Sequence, residues 1–284
     1  MTAGERFIDV NGLQVHCRSL GSGGPVLFFL HGSFLSMRSW RLVFEPLAER
    51  YSVIAIDRPA FGSTARPLPV PGKPNPYSPE GQADLVAALL EKLGHPQAVL
   101  VGNSTGGTIA LLTAIRHPQR VSGLVLADAM VYSGYATSEF PPWLYPLLKA
   151  GSPAGGGFAK LMIASAFNRL HRTFRHDPST AAEELLLAYR RDMMQGNWGR
   201  AFWELLLSSH NLGLEDRLGG IAVPVLVMTG DHDRMVKPAE TVRLSEVLPN
   251  AVLKVVPECG HLPQEEKPEI FMETLGAFLD NHFK

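Results

Sequence analysis

Apolar residues fall into two kinds of run along this chain. Pro25-Val26-Leu27-Phe28-Phe29-Leu30, Tyr51-Ser52-Val53-Ile54-Ala55-Ile56-Asp57, Gln97 to Val101, Val121 to Ala127, Val223 to Thr229 and Ala251 to Val256 are short and mostly apolar. That is the pattern of strands covered on both faces by helices. Between them lie segments with apolar residues three and four apart: about Met37 to Arg50, Glu80 to Leu93 with Gly94 just past its end, the stretch after Ser104 to about His117, Ala239 to Leu248, and Pro268 to Phe283. These predict amphipathic helices. Near the start, Arg6 to Val10 and Leu13 to Cys17 flank Asn11-Gly12, a pair suited to the positive φ angles of a tight hairpin, which predicts an antiparallel pair at a sheet edge.

The alternation stops after Asp128. Ala129 to about Leu218 holds no convincing strand and is rich in Leu, Met, Trp and Phe at helical spacing. Gly151-Ser152-Pro153-Ala154-Gly155-Gly156-Gly157 reads as a mobile connection between its helices, since it lacks the Lys-Ser/Thr ending of a phosphate-binding loop. Strand-helix alternation on both sides of a helical block predicts one α/β domain, residues 1–128 and 219–284, carrying a helical cap of residues 129–218. The sheet is expected to be mostly parallel and eight-stranded, with helices on both faces.

Charge and composition narrow the function classes. A net charge of −1 over 284 residues argues against nucleic acid or an anionic membrane as partner, because both demand clustered positive charge. Arg169, Arg172 and Arg175 read as a solvated helix face. The first residues lack a basic segment followed by an apolar stretch, and no uninterrupted apolar run reaches the length of about 18 residues needed to span a bilayer. The expectation is a soluble, cytoplasmic monomer or homodimer acting on a small molecule. Cys17 and Cys259 are too few for a disulfide framework and read as packed thiols.

Gly102-Asn103-Ser104-Thr105-Gly106-Gly107 is a G-x-S-x-G pattern between an apolar strand and a helix. With 27 glycines in the chain a serine flanked this way is not rare, so its partners decide the matter. A serine hydroxyl needs a base to take its proton. His261 sits on the loop after the last strand, where it reaches over the carboxyl edge of a parallel sheet. His31, before a glycine at a strand end, reads as a loop brace, and His232 lies beside carboxylates in a turn. The base needs a carboxylate to orient it; Asp233 is the first choice and Asp231 the second, both following the strand that ends at Thr229.

The order Ser104, Asp233, His261, together with His31-Gly32, Asp57-Arg58-Pro59-Ala60-Phe61-Gly62-Ser63, Gly230-Asp231-His232-Asp233 and Gly260-His261, resembles the α/β-hydrolase fold family, in a form with an inserted helical cap. Ala60 stands where that family's common turn has glycine. The resemblance implies a nucleophile elbow at Ser104, a catalytic triad, and an oxyanion hole. By position, the backbone N–H of Thr105, at the start of the nucleophile helix, and that of Ser33, in the His31-Gly32-Ser33-Phe34 loop, would form that hole.

Serine rather than aspartate at the elbow points away from dehalogenase or epoxide hydrolase chemistry. The default reading is hydrolysis of a small to medium apolar carboxylic ester through an acyl-enzyme. Hydrolysis of a carbon–carbon bond in vinylogous diketones is the rival, though the enzymes it resembles usually carry tryptophan after the catalytic histidine, where this chain has Leu262. A ligand-binding receptor on the same fold is a third reading. Phe34, Trp143, Trp198, Phe202, Trp203 and Leu262 are candidate pocket residues. His171 and His176 are wrongly spaced for a shared metal on one helix face, and no dinucleotide fingerprint is present, so no cofactor is expected.

Overall fold

Asn11 (φ 55°) and Gly12 (φ 88°) take the left-handed angles that a two-residue turn demands. They close β1 (Glu5–Val10) onto β2 (Leu13–Leu20), with Ile8 opposite Val15. The structure, a computed structural model, describes residues 4–132 and 142–283. In chain order there follow β3 (Val26–Leu30), α1 (Phe44–Ala48), β4 (Ser52–Ile56), α2 (Pro79–Lys92), β5 (Ala98–Asn103), α3 (Thr105–Arg116) and β6 (Val121–Ala127). Four helices come next: α4 (Tyr145–Ala150), α5 (Ser152–Thr173), α6 (Glu183–Met193) and α7 (Trp198–Ser208). The chain then returns to β7 (Val225–Gly230), α8 (Pro238–Val247), β8 (Ala251–Val256), α9 (Pro263–Glu266) and α10 (Pro268–His282).

The eight strands lie in the order β1-β2-β4-β3-β5-β6-β7-β8. The β1/β2 pair is antiparallel and the sheet mostly parallel, as the patterning predicts, and β2 also pairs antiparallel with β4. Alternate residues of each strand serve opposite faces. Phe28, Leu30, Leu100, Leu124 and Leu126 pack with Leu85 and Leu89 of α2, Ile109 and Leu112 of α3, and Leu244 of α8. Leu27, Phe29, Val99, Val101 and Val125 pack with Phe44 and Leu47 of α1 and with Phe271 and Leu275 of α10 on the other face. Among the described residues no helix is long and apolar enough to cross a membrane.

The segment predicted as a helix from Met37 to Arg50 is shorter and broken. Residues Met37–Trp40 form a 3₁₀ turn capped by the Ser36 hydroxyl, and α1 has five residues. Pro46 lacks an N–H and is tolerated only in the first turn of an α-helix, so the helix starts late.

The glycine-rich stretch is a correction. Residues Ser152–Thr173 are one helix of 22 residues that includes Gly155, Gly156 and Gly157. A Cβ on Gly155 would lie 2.2 Å from the Trp203 ring, one on Gly156 would lie 3.1 Å from the Arg200 backbone, and one on Gly199 would lie 2.4 Å from the Gly156 carbonyl oxygen. These glycines let α5 and α7 approach closely; they do not break the helix.

Arg175 also departs from expectation. It is buried and pairs with Glu265 of α9 at 2.5 Å, while Arg41 reaches the same carboxylate at 3.1 Å and the Tyr189 hydroxyl donates to its other oxygen. Burial pushes the Glu265 carboxyl up, but Arg41 and Arg175 more than offset this and hold it below the ordinary carboxylate range. The cluster ties α6 and the turn after α5 to the loop that follows β8.

Candidate active site

Ser104 stands between β5 and α3 at φ 55° and ψ −126°, a conformation that an L-residue adopts only under constraint. Its neighbours must be small. A Cβ on Gly102 would lie 2.5 Å from the Gly106 carbonyl oxygen, one on Gly106 would lie 2.0 Å from that of Leu30, and one on Gly32 would lie 2.9 Å from Ser104 Cβ. The Ser104 N–H donates to the Ala127 carbonyl at 2.9 Å, which locks the turn against β6.

Two loops at the carboxyl edge of the sheet pair Asp233 with His261, and the His261 loop is tied to Asn103, the residue before Ser104. His261 Nδ1 donates to Asp233 Oδ2 at 2.7 Å, with both groups buried. The other Asp233 oxygen accepts the N–H groups of Met235 and Val236 at 2.7 and 3.2 Å. The loop that carries His261 is held from both sides, since its N–H donates to the Phe174 carbonyl at 2.7 Å and its carbonyl accepts from Asn103 Nδ2 at 3.0 Å. Asp231, the second choice for the acid, instead meets His232 at 2.6 Å on the surface and accepts the Cys259 N–H.

His31 braces its loop. Its Nδ1 donates to the Gly32 carbonyl at 2.7 Å and its Nε2 accepts the Arg58 N–H at 3.0 Å. Burial, helped by the Arg58 charge, pulls its pKa down to about 4, so the ring is neutral. Ser33 and Thr105 touch through their hydroxyls at 3.1 Å, so the two candidate oxyanion amides belong to adjoining residues of the fold. Asp57 shapes the neighbouring turn by accepting the N–H groups of Met37 and Ser63. Ala60 holds φ 75° there, so the turn keeps its left-handed residue although the glycine is gone.

One acid escaped the sequence reading. Asp128, at the end of β6, is buried with its Oδ1 on the Gly230 N–H. An oxygen of Asp128, one of Asp233 and a ring nitrogen of His261 all lie within 4.8 Å of one another. Burial and the negative Asp233 push the Asp128 carboxyl well above the ordinary range. The signal for it was its place at the carboxyl end of a parallel strand.

A family model described as alpha/beta hydrolase fold matches residues 25–268. The chain belongs to that family. Among relatives of this alpha/beta hydrolase, the 2-hydroxymuconate semialdehyde hydrolase of Pseudomonas sp. strain CF600 is 31% identical over 284 residues, covering 96% of this chain and 93% of that one. Est816, described as an N-acyl homoserine lactone degrading enzyme, has 26% identity and a TM-score of 0.73, covering 96% of this chain and all of that one. A thermophilic esterase from Thermogutta terrifontis shares the fold at a TM-score of 0.78 and 23% identity, covering 99% of this chain and 100% of that one.

Around the hydrolase's serine turn the candidate pocket residues divide. Phe34, at φ 63°, packs its ring against Phe202 at 5.3 Å, and Trp198, Phe202 and Leu262 are buried in one cluster with Leu35 and Phe61. This cluster joins the inserted helices to the core loops. His171 Nε2 of α5 donates to the Phe34 carbonyl at 2.8 Å and so fixes the loop beside Ser33. Trp143 and Trp203 sit apart from that cluster. Trp143 is 70% exposed, and its apolar ring faces solvent. Trp203 turns toward α5, where its ring fills the space over Gly155 and its Nε1 donates to the Leu148 carbonyl. Residues 133–141, which precede Trp143, lie outside the described residues.

Proposed function

We propose that this alpha/beta hydrolase is a serine esterase in which Ser104 is the nucleophile, His261 the general base and Asp233 the orienting acid. The observation that carries this reading is the 2.7 Å bond from His261 Nδ1 to buried Asp233, made on a loop whose His261 carbonyl is held by Asn103, the residue before Ser104. That bond fixes the tautomer, leaving Nε2 without a proton and able to take one from a hydroxyl. Ser104 Oγ attacks the acyl carbon as its proton passes to His261. The N–H groups of Ser33 and Thr105 receive the oxyanion, assisted by the positive end of α3. His261 then protonates the leaving alcohol, and a water activated by the same ring releases the acid. Residues 129–218 act as a cap over the site, with Phe34, Trp198, Phe202 and Leu262 as its apolar lining.

A second reading is hydrolysis of a carbon–carbon bond, favoured by the 31% identity to a 2-hydroxymuconate semialdehyde hydrolase. The same serine and histidine serve it, with a carbanion as leaving group. A panel of p-nitrophenyl esters of increasing acyl length, run beside a vinylogous diketone, separates the two by turnover. Ser104→Ala should abolish turnover of the preferred class, and a fluorophosphonate probe should label Ser104. Labelling elsewhere overturns the nucleophile assignment, and inactivity on both classes favours a receptor.

A further inference from the structure

Next to the serine turn lies a buried charge that the proposed chemistry leaves unused. The Arg58 guanidinium is held by neutral acceptors only. Its Nε donates to Gln82 Oε1 at 3.0 Å, and its Nη1 donates to the His31 carbonyl at 2.7 Å and to Thr105 Oγ1 at 2.8 Å. Its Cζ stands 5.9 Å from the centre of the Phe61 ring. Among the described residues no carboxylate pairs with Arg58 and Nη2 has no hydrogen-bond partner. Arg58 is 3% exposed. A guanidinium at this depth ordinarily finds an anion, because nothing else compensates its lost hydration. Burial pulls its pKa down to about 9, which leaves it cationic at neutral pH.

Arg58 opens on a cavity of about 70 Å³ that Ser33, Thr105, Ile109, Met130 and Leu205 also line. The space holds about two groups the size of a water molecule. It is bounded on one side by the proposed oxyanion residues and on the other by apolar side chains.

We propose that this cavity is a carboxylate subsite, in which an acidic end of the acyl chain seats on the Nη2 edge of Arg58. The planar fork of a guanidinium matches a carboxylate, and the apolar wall suits the short methylene chain leading to it. The hydrolase would then act on short acyl esters that end in a carboxylate. This inference rests on the hydrolase reading of Ser104, because the cavity is placed by Ser33 and Thr105, the proposed oxyanion residues, in its lining.

The test compares monomethyl succinate with methyl 4-methylpentanoate, a neutral ester of the same shape, with acid release followed by pH-stat. The wild-type protein should favour the succinate by about tenfold or more in kcat/KM, the range of a charge-assisted pair. Arg58→Gln should lower both rates, through its contact with Thr105, and bring their ratio close to one. Equal wild-type rates overturn the subsite. So does a loss that is the same for both esters, since Arg58 would then act on the oxyanion or the fold alone. If Arg58→Gln fails to fold, succinate and succinamide as inhibitors of the wild-type protein decide: selective inhibition by succinate supports the subsite, and equal inhibition overturns it. If no ester is turned over, the hydrolase reading falls separately, and calorimetric binding of succinate against succinamide still tests Arg58.

Discussion

The carboxyl groups of Asp128 and Asp233 meet at the His261 ring, with one atom of each of the three inside a 4.8 Å span and all three side chains buried. Two carboxylates this close in a dry site do not both ionise. Asp233 carries the hydrogen bond from His261 and two backbone N–H groups, whereas Asp128 has a single N–H on one oxygen and no donor on the other. Burial and the neighbouring Asp233 therefore push the Asp128 carboxyl well above the ordinary carboxylate range.

A carboxyl whose folded pKa is raised contributes stability below its unfolded pKa and loses it as pH rises toward the folded value. Asp128→Asn keeps the shape and removes the titration. Its stability relative to wild type should therefore grow as pH rises above the ordinary carboxylate pKa of about 4. Thermal unfolding across this range measures it, and a constant difference would mean that Asp128 titrates normally.

The two acids after β7 predict opposite outcomes. Asp233→Asn should lower kcat about a thousandfold or more by disturbing the His261 tautomer. Asp231→Asn, which alters a surface pair with His232, should stay within about threefold. Ester turnover by the two purified variants decides, and the reverse pattern would transfer the role to Asp231.

Glu265 joins two arginines and Tyr189 under the inserted helices. Glu265→Gln removes the carboxylate that buried Arg175 and Arg41 share and should cost about 3 kcal/mol in urea unfolding. Because its folded pKa is depressed, the stabilisation exists above the unfolded carboxylate pKa and disappears as pH falls through the folded one. The gap between wild type and variant should therefore close below about pH 4.

Helix α5 offers a contrast between neighbouring glycines. A Cβ on Gly157 would meet nothing within 4 Å and the residue is exposed, so Gly157→Ala should raise stability by about 0.5–1 kcal/mol through helix propensity alone. Gly155→Ala meets the Trp203 ring and should lower stability by about 1–3 kcal/mol. Equal effects in thermal unfolding would remove the packing explanation for this glycine run.

The proposed chemistry is legible in the sequence because it depends on chain order. Ser104, Asp233 and His261 each follow a strand whose apolar run is unmistakable, and in a parallel sheet successive strand ends converge on one edge. Gly155 and Gly156 mislead because local composition cannot distinguish a glycine that loosens a chain from one that admits a neighbouring helix. Arg175 looks solvated for a similar reason: its partner, Glu265, is 90 residues away.

By itself the sequence determined the alternation of strand and helix, the mostly parallel character of the sheet and the small-residue turn around Ser104, since these follow from short-range sterics and from the periodicity of burial. Only the tertiary structure decided that Trp198 and Phe202 are buried in one cluster while Trp143 is exposed and Trp203 packs on Gly155, that Asp128 shares a buried space with Asp233, and that Arg58 keeps an unpaired edge beside Ser33 and Thr105. Those facts depend on distances between residues far apart in the chain, where packing and desolvation act and no local pattern records them.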